Sequence, residues 1–408
     1  MHPEIIIRVK KSKNILPVED MFIMNKRRLF LMLLISIAII FSGCIQEKPA
    51  QSNNKPSSSV SGNDYPKIAS WLSKKEELIS SKKPFDLVMT GWVTAEEAEK
   101  FKANNPDVTI LAGLSLNWVW DNDEWMTFLK TVSNYGKTDP IEITEDMYLH
   151  RENGERCAFG WASEEWEHEE IYAMDPRNGK WVEFITSFYK NTLDQPQHDG
   201  IIVDMVTNKN WWCQDGITDT EWVESTDAIM KKVQDLNNKD KMIIFNAGKD
   251  LSDIDKFSQY MDGYVMENFL GEQLGTVFED GLSAADSDYI VIYAVDTDNS
   301  GMKDLNRMRL GLTLSLLNDN TYFTYDMGTR DHGQAWWFPE YDANLGKALG
   351  EYYKKDNAYW REFKNGIVVI SPNSDTNINF DKEYTDISTN KKSTSFTIDK
   401  GDGRIFIE

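Results

Sequence analysis

The sequence predicts an α/β fold: a (β/α)8 TIM barrel followed by a small antiparallel β-domain. Three observations carry this. Short apolar runs alternate with longer amphipathic ones through most of the chain, the runs number close to eight, and beyond Tyr353 the helical pattern stops. Strands alternating with helices argue for a parallel sheet, and a count near eight over this length favours a closed barrel over an open doubly wound sheet. Asp199-Gly200-Ile201-Ile202-Val203-Asp204-Met205 shows the pattern most plainly. A β-branched run without alternation suits a strand covered on both faces, and here an acid closes it.

Residues 1–20 precede the first recognisable signal and are read as lying before the biological start or as disordered, with Met21 or Met24 the better initiator. Asn25-Lys26-Arg27-Arg28, the apolar stretch Leu29 to Ile40, and Phe41-Ser42-Gly43-Cys44 form a basic region, a short hydrophobic region and small residues before a cysteine. This is a secretory signal over 21–44. It resembles a lipoprotein signal, which implies lipidation of Cys44; an uncleaved anchor is the alternative. Both predict a membrane partner and a body outside the cytoplasm, on the extracellular face or secreted. Residues 45–64, rich in Ser, Asn, Pro and Lys, read as a flexible tether.

The barrel is assigned to 65–353. Trp71 to Leu78 has helical spacing. Strands follow at Phe85–Thr90, at Val108–Leu114, and near Met147–His150 as the least clear third. A Trp- and Glu-rich loop spans Phe159 to Asp175. The opening strand, at Gly200, is then the fourth, with the fifth at Lys241–Asn246, the sixth at Gly263–Asn268, the seventh at Tyr289–Asp296 and the eighth at Thr321–Asp326. Helices are predicted over Thr94–Asn104, where Glu96 and Glu97 suit the positive end, and over Trp181–Leu193 and Asn306–Leu317. Residues 354–408 carry strands at Gly366–Asn373 and within Thr394–Ile407, around Lys400-Gly401-Asp402-Gly403.

Sixty-six acidic against 44 basic residues give a formal charge of −22. That argues against nucleic acid or an anionic membrane surface as the main partner. Fourteen Trp and sixteen Tyr in so polar a chain suit sugar rings, whose C–H faces are apolar and whose rims are hydroxyls, although core packing accounts for many of them. Cys157 and Cys213 form either one disulfide or two buried thiols. The five His are scattered, so no metal site is predicted, and there is neither a Gly-x-Ser-x-Gly elbow nor a Gly-rich phosphate loop. No cofactor is expected.

Asp204, Glu267, Asp296 and Asp326 fall at the carboxyl ends of predicted strands. In a barrel those ends converge. Glycoside hydrolysis needs such a pair: one carboxyl group protonates the leaving oxygen while another attacks the anomeric carbon or activates water. Burial and mutual repulsion raise the pKa of the acid and leave its partner ionised. Plainer roles exist. Asp204 could cap a helix, Glu267 could pair with Arg309 or Arg330, and Asn246 could terminate its strand instead of binding substrate. Trp118, Trp120, Trp336 and Trp337 could stack on sugars or fill the core.

Asp199 to Asp204, Glu267-Asn268-Phe269, Leu316-Leu317-Asn318-Asp319 before Tyr322 to Asp326, and Trp336 to Asp342 with Leu345-Gly346 together resemble the TIM-barrel family of hypothetical glycosyl hydrolases. More remotely they resemble the endo-α-1,4-polygalactosaminidase barrels. The resemblance implies a carbohydrate substrate and a catalytic pair after the fourth and sixth strands, Asp204 and Glu267. Glu267 is then expected to be the general acid and Asp204 the nucleophile or base, with Asp296 and Asp326 binding hydroxyls or tuning pKa values. The rival is a carbohydrate-binding surface lipoprotein that keeps the barrel without turnover; fold alone does not separate the two.

Overall fold

The computed structural model describes residues 65–158, 171–210, 213–238, 240–246, 248, 251–269, 274–285, 288–329 and 331–408. The signal, the tether, Cys44, Arg330 and most of the 159–175 loop lie outside these. From Ala69 the chain runs β1 (Ala69–Trp71), α1 (Lys75–Ser81), β2 (Leu87–Thr90), α2 (Ala95–Asn104), β3 (Thr109–Ser115), β4 (Trp118–Trp120), α3 (Asp123–Ser133) and β5 (Ile171–Ala173). It continues through α4 (Gly179–Asp194), β6 (Gly200–Asp204), α5 (Asp219–Leu236), β7 (Met242–Asn246), β8 (Gly263–Phe269), α6 (Leu274–Ala285), β9 (Ile290–Asp296), α7 (Leu305–Ser315) and β10 (Thr321–Asp326).

Eight strands form one parallel sheet in the order β1-β2-β3-β6-β7-β8-β9-β10. A parallel bridge between Ile68 and Phe323 brings the two ends nearly to closure. The predicted barrel is therefore present. Met89, Leu111, Ile202, Ile244, Val265 and Ile292 meet in an inner cluster. The alternate positions, such as Ile201, Val203, Ile243 and Phe245, join the outer core with Trp181, Phe188 and Trp222. Each such buried side chain contributes about 1.5–3 kcal/mol. Thr94 with Glu97 and Thr218 with Glu221 close capping boxes that start α2 and α5.

Two predicted elements are corrected. The first barrel strand is Ala69–Trp71, so Trp71 belongs to a strand and the helix begins only at Lys75; three residues are too few to show a period. Met147–His150 is not a barrel strand. It follows a short 3-10 turn and bridges Met174 and Arg156 within an excursion between β3 and β6, where the antiparallel pair β4–β5 also lies. A missed first strand and a false third offset one another, and Gly200–Asp204 remains fourth. Cys157 and Cys213 are disulfide-bonded, with Cα atoms 5.7 Å apart, which ties this excursion to the loop after β6.

The C-terminal sheet is larger than predicted: β11 (Tyr353–Lys355), β12 (Ala358–Phe363), β13 (Gly366–Ser371), β14 (Thr376–Asp386), β15 (Lys391–Ile398) and β16 (Asp402–Ile407), antiparallel in the order β11-β12-β13-β16-β14-β15. It packs on α7, in which every residue from Met308 to Ser315 is buried. Arg309 makes a two-point ion pair with Asp402, at 2.9 and 3.0 Å. Gly403 sits so close to Thr313 that a Cβ would have no room.

Candidate active site

Inward-facing positions recur every second residue along a strand. The parity set by the inner cluster therefore runs from Ile202 to Asp204, Ile244 to Asn246, Val265 to Glu267, Ala294 to Asp296, and from Tyr322 through Thr324 to Asp326. Five consecutive barrel strands thus end in an inward polar side chain. The register between β8 and β9 slips immediately after Glu267, a bulge at Asn268.

Asn246 organises the centre. Its Nδ2 donates to Asp204 Oδ1 at 2.8 Å and to Glu267 Oε2 at 2.7 Å. Its Oδ1 accepts the backbone N–H of Gly248 at 2.8 Å, which fixes which end of the amide faces the acids. Gly248 adopts φ +61, a conformation glycine accepts without penalty. Asp204 Oδ1 also accepts the N–H of Met205 at 2.9 Å. Met205 itself is held at φ +59, a costly region for a branchless but bulky residue.

Glu267 has two further partners, neither anticipated from the sequence. Trp71 Nε1 donates to its Oε1 at 3.2 Å, and His332 Nε2 lies 3.4 Å from the same oxygen. The other ring nitrogen, Nδ1, is 2.9 Å from Asp326 Oδ2. Among the described residues the cation beside Glu267 is therefore His332; Arg309, one of the expected partners, is committed to Asp402. The sequence carried no signal for Trp71, since Ala69-Ser70-Trp71 is too short to show a period, and none for His332, because a loop after β10 delivers it.

Electrostatics follows from these contacts. Burial pushes the Asp204 carboxyl up, and the charge of Glu267 adds to this, to about 6. Burial also pushes Glu267 up, but the hydrogen bonds from His332, Asn246 and Trp71 and the charge of His332 outweigh it and hold Glu267 below the ordinary glutamate value. Burial opposes a charge on His332, yet Asp326 and Glu267 raise its pKa to about 10. Burial raises Asp326 despite His332.

The other expected residues are more dispersed. Asp296 is buried beside Asp326 in register, but it accepts the N–H of Asp298 at 2.8 Å and lies 3.5 Å from Arg307. Trp118 is buried in β4 opposite Ala173. Trp120 is half-buried and edge-on to Trp125. Trp336 packs on Tyr325 under Lys303, whose Nζ is 4.6 Å from its ring. Trp337 wedges against Phe85 and Tyr341 and donates to Asp342 at 2.8 Å.

The family model described as "Hypothetical glycosyl hydrolase family 15" matches residues 102–367. No curated protein matches the sequence. Among solved structures, a noncanonic maltogenic α-amylase from Thermotoga neapolitana matches at 10% identity and TM-score 0.44, over 81% of this chain and 92% of that one. An α-amylase from Malbranchea cinnamomea matches at 10% identity and TM-score 0.47, over 82% and 88%. A GH36 α-galactosidase from Geobacillus stearothermophilus matches at 9% identity and TM-score 0.47, over 84% and 55%.

Proposed function

The chain belongs to hypothetical glycosyl hydrolase family 15, and from that premise we propose that it is a retaining glycoside hydrolase working through Asp204 and Glu267. The observation that carries the reading is the shared amide of Asn246. Two oxygens bonded to one nitrogen at 2.8 and 2.7 Å cannot be farther apart than the sum of those distances, about 5.5 Å. Retaining enzymes hold their carboxyl groups ~5–5.5 Å apart, whereas inverting ones need ~6.5–9.5 Å to admit a water.

Glu267, held ionised by three donors including a cation, is the nucleophile. Asp204, whose raised pKa keeps a proton in mildly acidic solution, is the acid. This reverses the roles expected from the sequence. Glu267 attacks the anomeric carbon, the glycosidic C–O bond breaks, and the leaving oxygen takes the proton of Asp204. Water then enters, gives its proton to Asp204, and its oxygen displaces Glu267. Asn246 holds the pair in place, and His332 with Asp326 holds the negative charge on Glu267.

The body of the chain acts outside the cytoplasm, anchored by lipid on Cys44. The signal pattern around Arg27 to Cys44 supports this, as does the Cys157–Cys213 disulfide, a bond that persists in oxidising compartments. Metabolic labelling with a fatty-acid analogue, abolished by Cys44→Ser, is the expected result; label retained in that variant overturns the anchor.

The test of the chemistry is reducing-sugar release by the full-length chain from a polysaccharide panel that includes galactosamine polymers, followed by azide rescue. Glu267→Ala and Asp204→Ala both lose activity. Azide then gives a glycosyl azide of inverted configuration from Glu267→Ala and of retained configuration from Asp204→Ala. The opposite pairing reassigns the roles, and unchanged hydrolysis in both variants refutes the site.

A further inference from the structure

A second cleft of about 510 Å³ opens at the barrel rim, walled by Trp92, Trp120, Trp125 and Phe128 with Lys75 and Glu124 at its edges. Trp92 stands two residues beyond the end of barrel strand β2 and Trp120 five residues beyond that of β3, so the cleft lies on the side of the barrel where strands end, as the carboxylate pair does. Its volume falls within the ~300–1,000 Å³ usual for small-molecule sites.

The four rings are half-buried, and each packs against another ring. Trp92 stands edge-on to the buried His198 at 5.0 Å and 88°. Trp120 meets Trp125 at 4.9 Å and 70°, and Trp125 leads on to Phe128 at 5.5 Å. Asn122 caps α3 by accepting the Trp125 N–H at 2.8 Å, which pins the first turn under that ring. Flat apolar walls held without conformational freedom suit a ligand with flat apolar faces.

Charge narrows the ligand further. Lys75 already donates to the carbonyl of Trp92 at 2.8 Å and pairs with Glu97 at 2.9 Å, so among the described residues the walls of the cleft offer no uncommitted cation. Glu124 is exposed, and the chain carries a formal charge of −22. A polyanion is repelled here.

We propose that this cleft is a remote subsite that binds a polymeric glycan of neutral or amino-hexose units by ring stacking. The binding stands by itself; the further step, that the bound chain feeds its bonds to Asp204 and Glu267, rests on the hydrolase reading above.

The test is affinity electrophoresis of the full-length chain in native gels containing galactan, dextran, mannan, chitosan or polygalacturonate, with thermal melts to verify folding. At least one of the first four polymers retards the wild type. Trp92→Ala and Trp120→Ala weaken that retardation roughly tenfold or more, and Trp120→Phe restores most of it. Polygalacturonate retards nothing. Retardation by none of the neutral or amino polymers, retardation unchanged in both Trp variants, or retardation by polygalacturonate alone overturns the subsite. Retention of binding with no hydrolysis by the wild type sinks the hydrolase reading and leaves this one standing. Hydrolysis of a polymer at equal rates by wild type and both Trp variants overturns the feeding step and leaves the hydrolase reading standing.

Discussion

Trp71, at the end of the first barrel strand, gives its indole N–H to Glu267, at the end of the sixth, across 3.2 Å. The bond spans the barrel mouth and joins strands that are not neighbours in the sheet. Trp71→Phe keeps the ring packing and removes the donor. A hydrogen bond to a charged group contributes ~1.5–3 kcal/mol, so kcat/KM is expected to fall about 10- to 100-fold. The melting temperature should move little. Unchanged kinetics would show that the bond is not maintained during turnover.

His332 sets both a pH profile and a stability profile. The competent state has Glu267 ionised and Asp204 protonated, so activity rises as Glu267 loses its proton, below the ordinary range, and falls as Asp204 loses its own near about 6. The optimum is therefore acidic. His332→Gln removes the cation, and the acid limb of kcat/KM moves to higher pH. For stability the sign is that of a base with a raised pKa. The folded value near 10 exceeds the usual 6.5, so the contribution is complete below about 6.5 and disappears as pH climbs towards 10. His332→Gln should thus destabilise the protein more at pH 6 than at pH 10.5, as urea titrations at the two pH values would measure.

Asn246 is a structural strut in the site as well as a hydrogen-bond donor. Asn246→Ala releases two acids of which one is charged, and their spacing is no longer fixed. We expect kcat to drop about 100-fold with KM nearly unchanged, because the amide orders the reacting groups and does not recognise the substrate. Loss expressed mainly in KM would instead make Asn246 a substrate ligand.

Asp402 is fully buried between two guanidinium groups, Arg309 and Arg404 at 2.9 and 2.8 Å. Asp402→Ala strands the Arg309 cation and leaves Arg404 only the more distant Asp386, at 3.8 Å, and should cost about 3–5 kcal/mol. Arg309→Met should cost less, since Arg404 still holds the acid. Equal losses in the two variants, read by denaturant unfolding, would contradict this account of the joint.

Much of this arrangement could be read in the chain. Gly200 to Asp204 and its counterparts showed both the burial of each strand and the acid at its end, because an apolar run and its closing residue are local features. The inward parity that gathers Asp204, Asn246, Glu267 and Asp326 follows from the same strands once the barrel is granted. Trp71 was misread because a three-residue strand carries no period. His332 was missed because it stands on a loop outside any strand pattern, and while Asp326 is only six residues away its second partner, Glu267, is brought beside it by the barrel. The Trp residues divided for a related reason: nothing in the sequence separates Trp118, buried in β4, from Trp120 at an open cleft.

Helix α7 has apolar neighbours on both sides, the barrel on one and the antiparallel sheet on the other, and neither covers it alone. The two sheets therefore share a wall. Genetic shuffling cannot swap the tail for another module unless the newcomer reproduces the notch at Gly403 and the acid at Asp402. Cutting the gene anywhere between β10 and β16 would leave an oily flank, from Met308 to Ser315, facing water, and such a fragment should be recovered as aggregate. The boundary visible in the sequence near Tyr353 marks a change of architecture, while the packed unit runs across it.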